Sequence, residues 1–338
     1  MTSRELVIHT LNHEATPRAP RDLWISPGME STHADAIAEI GIRFPNDIVP
    51  PDVAAAQGKR SQGKPHKTGV FTDAWGCGWQ IAAKGTPPEL NLSPLAESGK
   101  IAEYHPPLEL LDAARFAKVG KSCEATNRFV LAASETRPFD RFRYLRGEAA
   151  LVDLARGTKE SRSLLSMLHD FSCKELEIWA NTEVDGVAFH DDLGRDDSLS
   201  IAPEMWREIF KPLYRDYCKI LHAKDKFVFF GSQGNIVDIF GDLLKIGVDA
   251  VHSQIQKMDV EKLAKRYRGR ATFWGEIDLH SLGEPNASSV KEGVLKIRRA
   301  LDYGSGGVIV QCRWTPDISL QTIAAVFEQW LTPLSMRE

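Results

Sequence analysis

His190, Asp191 and Asp192 stand in a row at the end of the apolar run DGVAFH at 185–190. An imidazole and two carboxylates at a strand end can transfer protons, bind a cation or orient a polar substrate. The plainer alternative is that one Asp caps the following turn and the other is solvated. Behind the run KFVFFG at 226–231 come Ser232, Gln233, Gly234 and Asn235. Backbone N–H groups of such small residues can hold an anionic or carbonyl oxygen before a helix, and Asn235 is equally suited to be an N-cap. Gln254, after 249–253, offers one paired donor and acceptor to a heterocycle. Glu276 and Asp278 follow ATFWG at 271–275; one of them is expected to point inward and the other to bond loop backbone. The run GVIVQC at 307–312 ends in Cys312 and is followed by Arg313. A thiol there is either a soft metal ligand or an inert small hydrophobe. Arg146 sets a guanidinium beside Gly147, in a place that is structural or substrate-facing.

The elements that position these residues repeat. Each apolar run is nearly continuous, as in a parallel strand buried on both faces. Each is followed by a stretch with helical spacing, at 203–223, 235–246, 259–267, 287–301 and 320–331. Pro203 and Glu204 mark a helix start, since proline suits the first turn and a carboxylate its positive end. Five strand–helix units leave a closed barrel or an open doubly wound sheet. An open sheet for a dinucleotide needs a GxGxxG turn opening a helix, and none exists; GSGG at 304–307 precedes a strand. The expectation is a (β/α)8 TIM barrel formed by one domain over 1–338, with catalytic groups at the carboxyl ends of its strands. Runs at 21–26 and 129–134 supply the first two staves, and the Pro-, Gly- and Lys-rich residues 45–125 form an insertion between early strands over the mouth. Within it, Trp75 to Trp79 places aromatics on the mouth or in a local core. Residues 160–183 read as one long helix.

With 42 Lys+Arg against 46 Asp+Glu, scattered along the chain, no electrostatic footprint for nucleic acid is present. No apolar run reaches the roughly 18 residues of a membrane span. The five cysteines have no CxxC spacing and imply neither a disulfide framework nor a structural zinc finger. A cytoplasmic protein without nucleic-acid or membrane partners is expected.

The order of motifs resembles the uroporphyrinogen decarboxylase superfamily, above all its methyltransferase-like branch. After an opening helix come TPRAP at 16–20, YLRG at 144–147 and DGVAFHDDLG at 185–194 with APEMWREIFKP at 202–212. SQGNI at 232–236, IGVDAVHSQ at 246–254, FWGEID at 273–278 and GGVIV at 306–310 complete the series. The resemblance implies a (β/α)8 barrel with a deep cleft, and porphyrinogens or methyl carriers (corrinoids, folates, thiols) as substrates. Two departures narrow it. The arginine-rich turn that holds a porphyrinogen's carboxylates reads WISPGME at 24–30, without Arg, which argues against porphyrinogen decarboxylation. The His-x-Cys zinc pair of thiol-methylating members falls on Gly231 and Gln233, neither a zinc ligand. Zinc is therefore not expected unless a rearranged site draws on Cys312, Glu276 and His190.

The function so implied is a methyltransferase or demethylase component moving a methyl group to or from a corrinoid or folate one-carbon carrier. Cobalamin on a partner corrinoid protein, or tetrahydrofolate, would be the cofactor. His190, Asp191 and Asp192 would handle protons, with Glu276 as a further acid–base group. Arg146, Asn235, Gln254, Asp278 and Arg313 would hold a small-molecule substrate. A homodimer is compatible with this reading. The alternatives are a decarboxylase or lyase on a small carboxylate, and a barrel that has lost its chemistry and binds a ligand.

Overall fold

Strands with apolar side chains on both faces need cover on both, and here the cover is a closed interior and an outer ring of helices. The computed structural model describes residues 1–56, 58–65, 67–83, 86–280 and 287–331. Helix α1 (Ser3–Leu11) leads to β1 (Arg21–Ile25), α2 (Ala34–Arg43) and β2 (Ile48–Val49). A small antiparallel sheet of β3 (Gly69–Thr72), β4 (Gly78–Ile81) and β5 (Glu89–Leu92) follows, then α3 (Val119–Glu124) and β6 (Phe129–Ala133). Helices α4 (Pro138–Arg146), α5 (Ala150–Arg156) and α6 (Lys159–Ala180) lead to β7 (Gly186–His190). Strict alternation then runs through α7 (Pro203–His222), β8 (Phe227–Gly231), α8 (Val237–Ile246), β9 (Ala250–His252), α9 (Val260–Tyr267), β10 (Thr272–Trp274), α10 (Ala287–Leu301), β11 (Val308–Trp314) and α11 (Leu320–Leu331).

Eight strands pair in parallel in the order β1-β11-β10-β9-β8-β7-β6-β2, a nearly closed (β/α)8 TIM barrel. At the seam between β1 and β2, Asp47 N–H donates to the Arg21 carbonyl at 2.9 Å. The Asn46 side chain does the rest: its amide oxygen accepts from Leu23 N–H at 2.8 Å and its NH2 donates to the Leu23 carbonyl at 3.0 Å. A side-chain amide thus stands in for one peptide of the ladder.

Alternation divides the apolar residues into two cores. Ile48, Phe129, Leu131, Ala188, Phe229, Ala250, Trp274 and Ile309 fill the barrel, and Val7 and Leu11 of α1 pack with them. Their intervening neighbours, among them Val130, Val187, Phe230, Val251, Phe273 and Val310, face the helices. No helix among the described residues is long and apolar enough to cross a membrane.

Two boundaries differ from the sequence reading. The second stave is β2, only two residues long and too short for a pattern to show, so the insertion occupies 50–128 and follows the second strand. The long helix is α6, capped by the Thr158 hydroxyl accepting from Ser161 N–H at 3.1 Å. The aromatics of 75–79 form a local core: Trp75 packs on Phe171 at 4.8 Å and Trp79 on Tyr144 at 4.9 Å. Asp73 organises that turn, accepting from the backbone of Trp75 and Cys77 and from the Trp79 indole. Arg141 of α4 pairs with Asp73 at 3.1 Å and stacks over Trp75, so the insertion is pinned to α4 and α6.

Candidate active site

The inward parity of the strands decides what lines the mouth. In β1 it turns Asp22 and Trp24 inward, in β7 His190, in β9 His252, in β10 Trp274 and in β11 Gln311. A cavity of about 260 Å³ is lined by Asp22, Trp24, Ile48, Leu131, Ala133, Ala188, His190 and Trp274, among others. Its walls are aromatic. Trp24 stacks on His252 at 4.7 Å and meets Trp274 edge-on at 5.4 Å, while His190 lies 6.1 Å from Trp274 and 6.4 Å from Trp24.

Asp22 is buried beneath these rings. One of its oxygens accepts both indole N–H groups, from Trp24 at 2.9 Å and Trp274 at 2.7 Å. Two neutral donors only partly replace water, so burial holds the carboxyl up at about 6, against an ordinary 3.8. The His190 ring makes no hydrogen bond among the described residues, and burial together with the charges of Arg137 and Arg313 brings it down to about 4. His252 falls to about 3, chiefly through burial, and its Nε2 lies 3.1 Å from the Gln311 amide oxygen. The cavity therefore holds neutral imidazoles and one carboxyl that changes protonation near pH 6.

Gly231 makes room for this arrangement. A Cβ there would lie 2.1 Å from His190 Cδ2 and 2.4 Å from Nε2, so only glycine admits the ring. Beside the cavity, Arg313 lies over the Trp24 ring at 5.3 Å and 3.6 Å from the Glu276 carboxylate. Burial raises Glu276 and the Arg313 charge opposes the rise.

Of the residues proposed from sequence, His190, Glu276 and Arg313 come together at the mouth, and the others do not join them. Asp191 faces the helix layer, where it accepts from Phe139 N–H at 2.9 Å, Asp140 N–H at 2.7 Å and the Tyr214 hydroxyl at 2.5 Å. It caps α4, and burial with the nearby Asp140 charge pushes its carboxyl well up. Asp192 is exposed and accepts from Gln233 N–H at 3.0 Å. Arg146 is buried against Asp153 and the Leu95 and Ala96 carbonyls, fastening the insertion to the helix layer. Asn235 is not the N-cap of α8, which is Ile236; its side chain accepts from Val237 N–H at 3.0 Å in the turn before the helix and donates to the Lys257 carbonyl at 3.0 Å. Gln254 accepts from Gly234 N–H at 3.0 Å, and Asp278 from His280 N–H at 3.1 Å.

Cys312 points away from the mouth. It belongs to the outer core with Val310 and Trp314, opposite to Gln311 and Arg313, and burial pushes its thiol up. It cannot meet Glu276 and His190 around one ion. Among the described residues no three His, Cys, Asp or Glu side chains converge as a metal cage. The residues present therefore do not fit the zinc of the thiol-methylating enzymes.

Sequence reasoning passed over Asp22, Trp24, His252, Trp274 and Gln311. The available signal was an Asp in the middle of an otherwise apolar strand, a residue that is almost never buried without a reason.

The carboxyl ends of the strands are where enzymes of this fold carry out their chemistry, and the solved structures that this chain resembles include enzymes. A methyltransferase from Methanosarcina mazei superposes with a TM-score of 0.67 at 14% identity, over 97% of this chain and 98% of that one. A glycosylated endo-beta-1,4-xylanase of glycoside hydrolase family 10 from Gloeophyllum trabeum does so with a TM-score of 0.51 at 9% identity, over 94% and 98%. At such identities the likeness is one of fold. No protein-family model and no curated protein sequence matches the chain.

Proposed function

We propose that the chain is a methyltransferase or demethylase component of the uroporphyrinogen decarboxylase superfamily's methyltransferase-like branch. It would move a methyl group between a small substrate and a corrinoid or folate carrier. The observation that carries this reading is the pairing of Asp22, poised at about 6, with a neutral His190 in one aromatic-walled cavity. The likeness in fold to a methyltransferase over nearly the whole chain supports it.

Losing a methyl group from oxygen or nitrogen leaves an anion or amine that needs a proton, and methylating it releases one. Asp22 is suited to both directions, because an acid with a value near the working pH donates and accepts with similar ease. His190 is held neutral and so presents a lone pair or an N–H without adding charge. Trp24 and Trp274 exclude water and fix the carboxyl through their indole N–H groups. The carrier, when bound, would supply the atom that takes or gives the methyl group. A cavity of about 260 Å³ admits a small substrate and not a corrin macrocycle, so a corrinoid would approach the mouth from outside on its partner protein. Five free thiols accord with a cytoplasmic setting.

The test is methyl transfer by the purified protein with methylcobalamin, cob(I)alamin and methyltetrahydrofolate, against a panel of small methyl ethers, amines and thiols. Turnover that disappears in Asp22→Asn is the expected result. Silence with every carrier removes the proposal.

A further inference from the structure

The wall of the cavity holds one carboxylate and no side-chain cation. Neither lysine nor arginine is among the described residues that line it; its polar side chains are those of Asp22, Asn46, His190 and the two indoles. Most of these are already engaged. Both indole N–H groups go to one oxygen of Asp22, Oδ2, and the Asn46 amide is spent on the Leu23 peptide. The other carboxylate oxygen and the His190 ring nitrogens have no hydrogen-bond partner among the described residues, and none of them is sealed inside packed protein. The rest of the lining is apolar, with Ile48, Leu131 and Ala188 among it.

The charges just outside the cavity pair off with one another. Arg313 lies 3.6 Å from the Glu276 carboxylate, and Arg18 holds Asp47 at 2.6 Å. The charge of Arg137 is stabilised by Glu135, Asp140 and Asp191. Asp22 has no such partner. It ionises at about 6, so at neutral pH the cavity carries a negative charge without a counter-ion. A carboxylate kept from water is costly until a cation meets it.

We infer that the substrate is a small N-methylated ammonium ion, its positive nitrogen facing the free oxygen of Asp22 and its methyl groups lying against Trp274 and the aliphatic lining. The carboxylate answers the charge, and an indole attracts a cation through the negative face of its ring. The apolar wall suits methyl groups, which a hydrated inorganic cation lacks. A methyl ether or thioether would leave the carboxylate unanswered, and an anion would be repelled by it. The inference rests on the methyl-transfer reading for the use made of the cavity, and names which class of methyl compound enters it.

Equilibrium binding without any methyl carrier separates the two. Isothermal titration of the full-length protein at neutral pH compares choline with neohexyl alcohol, which has carbon in place of the nitrogen, and with the tert-butylacetate anion. The three share one body and differ in charge. Choline is expected to bind, with neohexyl alcohol weaker by about tenfold or more and tert-butylacetate weaker still. Asp22→Asn should lose about tenfold for choline and nothing for the alcohol, with the circular dichroism unchanged. Lowering the pH from about 7 to about 5 protonates Asp22 and should weaken choline about tenfold in the wild type, since neither choline nor the alcohol titrates there. Asp47, His190, His252 and the Glu276–Arg313 pair remain in the Asp22→Asn protein, so that pH effect should vanish in it. Equal affinity for choline and neohexyl alcohol, undiminished choline binding by a folded Asp22→Asn protein, or no binding of choline at all would each overturn the inference. Choline preference in a protein that transfers no methyl group would leave Asp22 as the cation site and remove the methyl-transfer reading alone.

Discussion

Replacing Asp22 by Asn keeps the shape of the cavity and removes its titration. The two indole N–H groups share one carboxylate oxygen, and an amide oxygen can accept both in its place. In the unfolded chain Asp22 ionises near 3.8; in the folded protein burial delays ionisation to about 6. Between those values the native state keeps a proton that the unfolded state releases, so stability falls as pH rises, and the loss is complete above the folded value. Two pKa units at about 1.4 kcal/mol each amount to about 3 kcal/mol in full, of which about 2 kcal/mol falls between pH 4 and pH 7. The substituted amide does not titrate, so the Asp22→Asn protein should gain about 2 kcal/mol on the wild type over that interval. The assay is urea unfolding of both proteins at the two pH values, reading the midpoint with the slope unchanged. Other titrating groups drop out of the comparison because both proteins contain them. A difference between the proteins that is the same at pH 4 and pH 7 would show that Asp22 is not held protonated. The acid–base role argued for it would fall with that result.

Three further substitutions separate the mouth from its supports. Gly231→Ala pushes the His190 ring from its place, at a cost of about 1–3 kcal/mol for overpacking, and should depress turnover while the fold persists; an unmoved His190 resonance with unchanged turnover would contradict it. Asp191→Ala strands two backbone donors and the Tyr214 hydroxyl, and should lower stability by about 2–4 kcal/mol while sparing kcat per folded molecule. A fall in kcat at unchanged stability would instead restore Asp191 to catalysis. Arg146→Met leaves Asp153 and two carbonyls unsatisfied, so limited proteolysis should cut within 50–128 faster than in the wild type; an identical digestion pattern would show that Arg146 does not fasten the insertion.

The barrel was legible because its later strands are written as apolar runs with helices of regular spacing between them, and the lack of a dinucleotide turn removed the open-sheet alternative. What escaped was short or substituted. Ile48–Val49 has too few residues for a period; it pairs with β6, and its link to β1 runs partly through the Asn46 side chain on Leu23, which no pattern of apolar residues announces. The insertion was misplaced by one stave for that reason. Its anchoring depends on pairs distant in sequence, Asp73 with Arg141 and Arg146 with the 95–96 carbonyls, whose partners are invisible until the chain is folded.

The site shows why a cluster of reactive types is a weaker signal than parity. His190, Asp191 and Asp192 are contiguous, so a strand that sends the imidazole into the barrel must send the next side chain out of it, where Asp191 meets the helix layer. The same rule separates Cys312 from Arg313 and excludes the thiol from any centre built on His190. Conversely, Asp22 and Trp24 are two apart and share the inner face with Trp274, which lies on a strand 252 residues away from Asp22. Counting polar residues at strand ends found the rim of the pocket; following every second residue back into each strand would have found its floor. In this chain the floor holds the one carboxyl of the cavity wall that burial brings near neutral pH, and the chemistry proposed for the mouth depends on that group more than on the denser cluster beside it.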